Sequence, residues 1–222
     1  MKYIFLFIYA GLTLLNLLKF QKIEQYMLEA GFSWTFSKVF PYITLLILGF
    51  LLARWCRRRI IFRVKYVRTI VFILVLALPF VVGLIMNPIY DGDFAQQGVE
   101  MTKKQYVGDF KNADLVVIAI PNCPYCYGSI QKLKLIKQRN PAVRIKFVVC
   151  NSDPQTLIPY KEAGGDAIKV VNGRNIDALS QIAEYRFPTF VLLKNNVPVS
   201  KWANDQFGVR ALDKLEKALE EK

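Results

Sequence analysis

Histidine is absent from the 222 residues, and cysteine is scarce: of four, only Cys123 and Cys126 are close in sequence. A zinc site wants four ligands. With no imidazole, and with Cys56 and Cys150 isolated, a site built on Cys123 and Cys126 lacks an evident second half. Methionine numbers four, and no Met-rich or His-rich stretch supports copper transfer through the two thiolates. Acids are missing from one part of the chain. Residues 1–86 carry 11 Lys/Arg against 2 acids, whereas residues 87–222 carry 19 against 15. The net charge of +13 is thus concentrated at the start, which signals membrane topology more than nucleic-acid binding. Internal repeats and low-complexity tracts are lacking too.

What the chain has in excess is apolar surface. At 54% hydrophobic, with positive mean hydropathy, it is too greasy for one water-exposed domain of this length. Membrane segments plus one domain fit better. Tyr3 to Leu18 is an apolar run after Met1-Lys2, interrupted by Gly11, Thr13 and Asn16. Its basic start and apolar middle also suit a signal peptide, but Lys19, Gln21 and Lys22 follow it instead of a small-residue cleavage site. It reads as a first membrane helix, short against the roughly 20 residues a span needs. Residues 23–38 read as a polar and aromatic connector, with Trp34 and Phe36 as interface anchors. Residues 39–55 and 69–86 read as second and third spans, with Pro79 a kink in the third.

From the end of the second span to the start of the third run Arg54, Arg57, Arg58, Arg59, Arg63, Lys65 and Arg68 with no acid among them. A short loop so charged stays on the cytoplasmic side. The N-terminus then also lies inside, and everything after Asn87 lies outside, where disulfides persist. The expected organisation is a membrane region over 1–86, a linker over 87–97 and a domain over 98–222. The bilayer of a bacterial plasma membrane is the implied surroundings, with the domain periplasmic.

The domain centres on Asp114 to Ser129, D-L-V-V-I-A-I-P-N-C-P-Y-C-Y-G-S. Leu115 to Ile120 reads as a strand buried on both faces, Pro121-Asn122 as a turn, and Pro124 to Gln138 as a helix. A strand, then C-x-x-C, then a helix is the arrangement of a redox-active dithiol. Cys123 falls at the helix N-terminus, where free N–H groups and the dipole favour a thiolate. Cys126 lies one turn on, within reach of a mixed disulfide formed on Cys123. Pro124 suits the first turn, which has no use for its missing N–H. Two merely structural cysteines remain the plainer alternative. In the helix, Ile130, Leu133, Leu135 and Ile136 should face the sheet, with Lys132, Lys134 and Lys137 toward solvent. Further expectations are a leading helix over 101–111, strands over 143–150 and 167–171, and a helix over 178–185. A hairpin of 188–193 with 197–202 turns at Asn195-Asn196, and an amphipathic helix closes the chain over 209–221, burying Leu212, Leu215 and Leu219.

Strand, C-P-Y-C and, downstream, Phe187-Pro188-Thr189-Phe190 ahead of Val191-Leu192-Leu193 together resemble the thioredoxin superfamily, with a Pro124-Tyr125 dipeptide typical of glutaredoxins. The resemblance covers about residues 96–222. It implies an α/β thioredoxin-like domain, a central mixed sheet flanked by helices, preceded here by an all-α membrane region of three transmembrane helices. It also implies that the bond before Pro188 is cis, and that Pro188, Phe187 and Thr189 shape a substrate groove facing Cys123 and Cys126, with Pro124 and Tyr125 on its other side. Tyr125 is read equally well as a packing residue. The longer segment over 154–177 is closer to membrane-anchored extracytoplasmic thioredoxin-like proteins than to glutaredoxins. Two departures stand out. Val117 occupies the position where thioredoxins carry a buried acid, and Leu193-Lys194-Asn195-Asn196-Val197 replaces the glutathione-binding Gly-Gly-x-Asp-like segment of glutaredoxins. Cys150 reads as a core residue, and Cys56 as a lone membrane cysteine unable to relay two electrons.

The reading that follows is a membrane-anchored thiol–disulfide oxidoreductase with no cofactor or metal beyond its redox-active cysteines. Its partners would be protein thiols and disulfides, a membrane redox protein and the lipid bilayer, with no nucleic acid. The competing reading is a non-catalytic assembly or chaperone subunit that uses the same fold for binding.

Overall fold

The computed structural model describes residues 2–59, 65–95, 98–101 and 108–221. Arg63 of the basic loop, residues 96–97 of the linker and most of the expected leading helix (102–107) lie outside the described residues. The chain divides into two compact units, Met1–Tyr90 and Asp91–Lys222.

The first unit is helical: α1 (Lys2–Leu18), α2 (Phe20–Glu29), α3 (Trp34–Arg59) and α4 (Lys65–Met86). Two helices are long and apolar enough to cross a bilayer, Trp34–Arg58 with mean hydropathy 1.9 and Tyr66–Met86 with 2.9. The first expected span is a helix of only 17 residues that bends by 73° into α2, so the count reaches three only if that bent pair makes one span. The stretch 23–38 is no simple connector. Most of it is helical, because Ser33 Oγ accepts the Phe36 N–H at 3.2 Å and starts α3 at Trp34, five residues ahead of the expected span. Tyr42, Phe20 and Leu45 form a buried cluster, with Leu17, Phe80 and Leu84 packed against it. Polar bonds join the helices where water is scarce: Asn16 donates to Thr44 Oγ1, and Tyr42 donates its hydroxyl to the Asn87 carbonyl. A Cβ at Gly49 would collide with the Leu76 carbonyl, so glycine permits the close approach of α3 and α4.

The second unit holds one six-stranded sheet, ordered β1-β6-β5-β2-β3-β4, from β1 (Val99–Glu100), β2 (Leu115–Ala119), β3 (Ile145–Val149), β4 (Lys169–Asn172), β5 (Thr189–Lys194) and β6 (Val197–Ala203). β2 runs parallel to β3 and antiparallel to β5; β3 runs parallel to β4; β6 is antiparallel to β5 and β1. Every residue of β2 is buried, as a strand covered on both faces requires. Val116 and Ile118 point into a cluster with Val148, Val191, Leu193, Phe110, Leu179 and Ile182, the last two from α7 (Ile176–Ile182). Side-chain alternation sends Leu115 and Val117 to the other face. That face is shared by α5 (Pro124–Arg139), α6 (Ile158–Gly164) and α8 (Val209–Glu220). Phe190 stacks on Phe207 just before α8 at 3.8 Å, Phe147 meets Tyr160 of α6 at 5.1 Å, and Arg139 of α5 pairs with Glu216 of α8 at 2.6 Å. This mixed sheet between helices, after apolar N-terminal helices, is thioredoxin-like.

Several sequence expectations need adjustment. Val99–Glu100 is a strand, two residues long and too short to show a period. Pro159 lies in the first turn of α6, where its missing N–H costs nothing. Leu135 is 36% exposed, so α5 buries Ile130, Leu133 and Ile136 without it. Nor is its basic face simply solvated: Lys132 donates to the Phe207 carbonyl, and Lys137 to the carbonyls of Pro141 and Val143. The hairpin turns as read, with Asn195 and Asn196 both left-handed at φ 53° and 62°.

Two truncations on α5 separate its faces. Leu133→Ala, at a fully buried position, should cost about 2–5 kcal/mol. Leu135→Ala should cost less than about 0.5 kcal/mol. Chemical unfolding of both variants in detergent checks the assignment, and equal losses would contradict it.

Candidate dithiol site

The site begins where β2 ends. After Ala119 the chain turns through Pro121 and Asn122, the latter left-handed at φ 55°, a conformation asparagine tolerates better than most residues. Cys123 then takes an extended backbone (φ −95°, ψ 109°) as the N-cap of α5, and Pro124 opens the helix. In place of the usual cap oxygen, Cys123 Sγ accepts the Cys126 N–H at 3.1 Å. The two cysteines are joined by a disulfide, with Cα atoms 5.2 Å apart. Cys126 is fully buried and Cys123 keeps 6% exposure, so an incoming group reaches the first sulfur before the second. Ser129 donates to the Cys126 carbonyl at 2.7 Å.

Pro124 and Tyr125 lie on the open side, and Tyr125 at 70% exposure is not a packing residue. The bond between Phe187 and Pro188 is cis. Thr189 pairs with Ile118 across β5 and β2, so Pro188 stands one step further along, beside the end of β2 from which the dithiol turn departs. Pro188 is buried and Phe187 half-buried against the sheet core. Thr189 is buried between Ile118 and Ala203 of the flanking strands, and its hydroxyl donates to the Arg186 carbonyl at 2.5 Å.

Three contributors escape a sequence reading. Tyr160, from α6, is 1% exposed; its hydroxyl donates to the Ile120 carbonyl at 2.8 Å and accepts the Cys123 N–H at 3.3 Å. Tyr127 stacks on its ring at 4.4 Å. Burial raises the Tyr160 pKa, the Cys123 amide opposes that, and the nearby Tyr127 adds to it, so the hydroxyl stays protonated at neutral pH. Lys201, buried in β6, donates to the Ile182 carbonyl at 2.8 Å and to Glu184 at 2.6 Å. Glu184 and Tyr185, both left-handed, lie between Ile182 and the cis bond. The Lys201 ammonium holds the Glu184 carboxyl below its usual range. For Tyr160 the one sequence signal is the length of the segment between β3 and β5; Tyr127 directly follows the C-x-x-C, and nothing in the sequence marks Lys201.

Val117 is fully buried in β2. Asp114, also buried, is held by the Arg144 side chain at 2.7 Å and backbone N–H at 3.0 Å, at the opposite end of β2. Among the described residues, no three His, Cys, Asp or Glu side chains cluster as metal ligands. Cys150 follows β3 and packs half-buried against the core, and burial pushes its thiol up to about 11. It should therefore resist alkylation at neutral pH. Mass spectrometry of reduced protein treated with iodoacetamide at pH 7 should find Cys123 modified well before Cys150. The reverse order would overturn this account of the thiols.

No protein-family model matches the chain, and no curated protein matches it. Among solved structures, the chain is similar to a secreted Mycobacterium tuberculosis disulfide oxidoreductase homologous to E. coli DsbE, at 16% identity over 49% of this chain and 80% of that one, with a TM-score of 0.37. It is also similar to a thioredoxin-like protein from Bacteroides caccae, at 14% identity over 84% of this chain and 83% of that one, with a TM-score of 0.36. The thioredoxin-like character of the domain lies in its own strand order and C-x-x-C turn, independently of these likenesses.

Proposed function

We propose that this protein is a membrane-anchored thiol–disulfide oxidoreductase that exchanges disulfides with extracytoplasmic proteins through Cys123 and Cys126. The observation that carries the reading is the Cys123–Cys126 disulfide at a strand-to-helix junction, with the Cys126 N–H aimed at Cys123 Sγ. When the pair is reduced, that N–H and the positive end of α5 favour a thiolate on Cys123. The thiolate attacks a partner disulfide; a sulfur–sulfur bond forms to Cys123, and the partner's other sulfur leaves as thiolate. Cys126 then loses its proton to water or the departing sulfur and attacks Cys123 Sγ. The second partner sulfur is released, and two electrons have passed from the dithiol to the partner. Run backward, the same steps oxidise a partner dithiol. Phe187, Pro188 and Thr189 form one wall of the substrate groove, and Pro124 and Tyr125 the other.

The anchor is residues 1–86, joined through 87–97 to the domain of 98–222. Its basic loop lies in the cytoplasm of a bacterium and its domain in the periplasm. A membrane redox protein completes the cycle by resetting the dithiol, since Cys56 alone cannot carry two electrons across the bilayer.

Cys126→Ser should accumulate mixed disulfides with partner proteins, because attack proceeds and resolution does not. Cys123→Ser should accumulate almost none, and non-reducing gels read both. A reversed pattern, or full disulfide-reductase activity in both variants, would sink the mechanism. The orientation has its own check. After mild reduction of intact cells, an impermeant maleimide should label Cys123 directly and Cys56 only after permeabilisation; Cys56 labelled from outside would invert the topology.

A further inference from the structure

Resting on the oxidoreductase reading above, we propose that Tyr160 is a positioning residue for the dithiol. Its hydroxyl ties together the two ends of the turn that carries Cys123, and so keeps that sulfur at the N-terminus of α5 when the disulfide is open. The two groups it joins need a partner. β2 pairing stops at Ala119, leaving the Ile120 carbonyl beyond the ladder. Cys123 precedes the helix, so its N–H has no intrahelical acceptor. A phenol has one proton to give and lone pairs to accept with. Tyr160 uses both functions here, donating to Ile120 and accepting from Cys123. The ring does not wander, because Tyr127 stacks on it and Phe147 packs beside it.

The two redox states make different demands on this tie. In the disulfide form, the bond to Cys126 already fixes Cys123. In the dithiol form that bond is gone, and the turn, with Asn122 left-handed, is free to relax. The Tyr160 bridge then remains to hold Cys123 Sγ within reach of the Cys126 N–H, the contact that stabilises its thiolate. Losing the bridge raises the Cys123 pKa and weakens the dithiol form relative to the disulfide. In the exchange of the protein disulfide with two glutathione thiols, giving the protein dithiol and glutathione disulfide, the equilibrium then moves back toward the protein disulfide.

Tyr160→Phe in the full chain, in detergent, isolates the hydroxyl because the stacked ring stays. The pH dependence of Cys123 alkylation, read by mass spectrometry, should shift its midpoint upward by about one unit. The glutathione exchange constant should move about tenfold toward the protein disulfide, which converts to about 30 mV for a two-electron couple. A midpoint and constant equal to the parent's would overturn the role, even if thermal stability fell. Amide hydrogen exchange in the reduced parent supplies a measurement independent of any variant. The Cys123 N–H should stay protected after the disulfide opens, and free exchange there would overturn the proposal. The two claims fail apart. A parent that never exchanges with glutathione removes the oxidoreductase reading, whereas an active parent with an unmoved variant removes only the role of Tyr160.

Discussion

Burial of β2 on both faces is the constraint on which the second unit depends. Five consecutive residues, Leu115 to Ala119, are shielded from solvent, so the sheet must be covered above and below. Parallel pairing with β3 demands a crossover, and α5 supplies it. A crossover helix must start just beyond the strand's carboxyl end, and that start is where Cys123 and Cys126 lie. The Cys123–Cys126 pair is thus placed by the way the core is closed. On the other side of β2, antiparallel β5 begins at Thr189, which brings the cis Phe187–Pro188 bond to the same end of the sheet.

The segment between β3 and β5 adds two things to that frame. It adds β4, a parallel strand that covers the free edge of β3, and α6, which sends Tyr160 under the dithiol turn. This one segment therefore extends the sheet and contacts the dithiol turn. Lys201 makes a polar contact on the other side of the sheet, from β6. Its buried ammonium would be costly if unpaired, and it is satisfied by the Ile182 carbonyl and Glu184, just before the chain turns toward Pro188.

Legibility followed the range of the interactions. The core strand, the C-x-x-C helix start, the Asn195-Asn196 hairpin and the closing helix are governed by neighbours a few residues apart, and their residue types declare them. The two-residue β1 exists only because β6 offers an edge to pair with, so no local pattern marks it. Tyr160 lies 37 residues from the amide it accepts from, and nothing near it in sequence hints at the contact. Leu135 was misplaced because four apolar residues on α5 span more of its circumference than the sheet covers. In the helical unit, composition revealed the apolar stretches, but the 73° bend between α1 and α2 left the number of spans open.

Cys150 shows how far environment, and not position, decides what a thiol does. Its amide bonds the Ala119 carbonyl at 2.7 Å, so its backbone lies directly beside the end of β2 that launches the dithiol turn. Yet β3 is followed there by a bend, with no helix N-terminus to stabilise charge on sulfur. Burial raises its pKa to about 11, a Ser180 hydrogen bond opposes that, and the field of Asp109 adds to it. A thiol neutral at physiological pH is a poor nucleophile. The two cysteines therefore lie in different surroundings beyond adjacent strands. What separates them is that one caps a helix, with an N–H directed at its sulfur, while the other packs into apolar side chains. The proposed role of Tyr160 rests on that distinction: a hydroxyl bonded to both Ile120 and Cys123 acts on the turn from outside the helix.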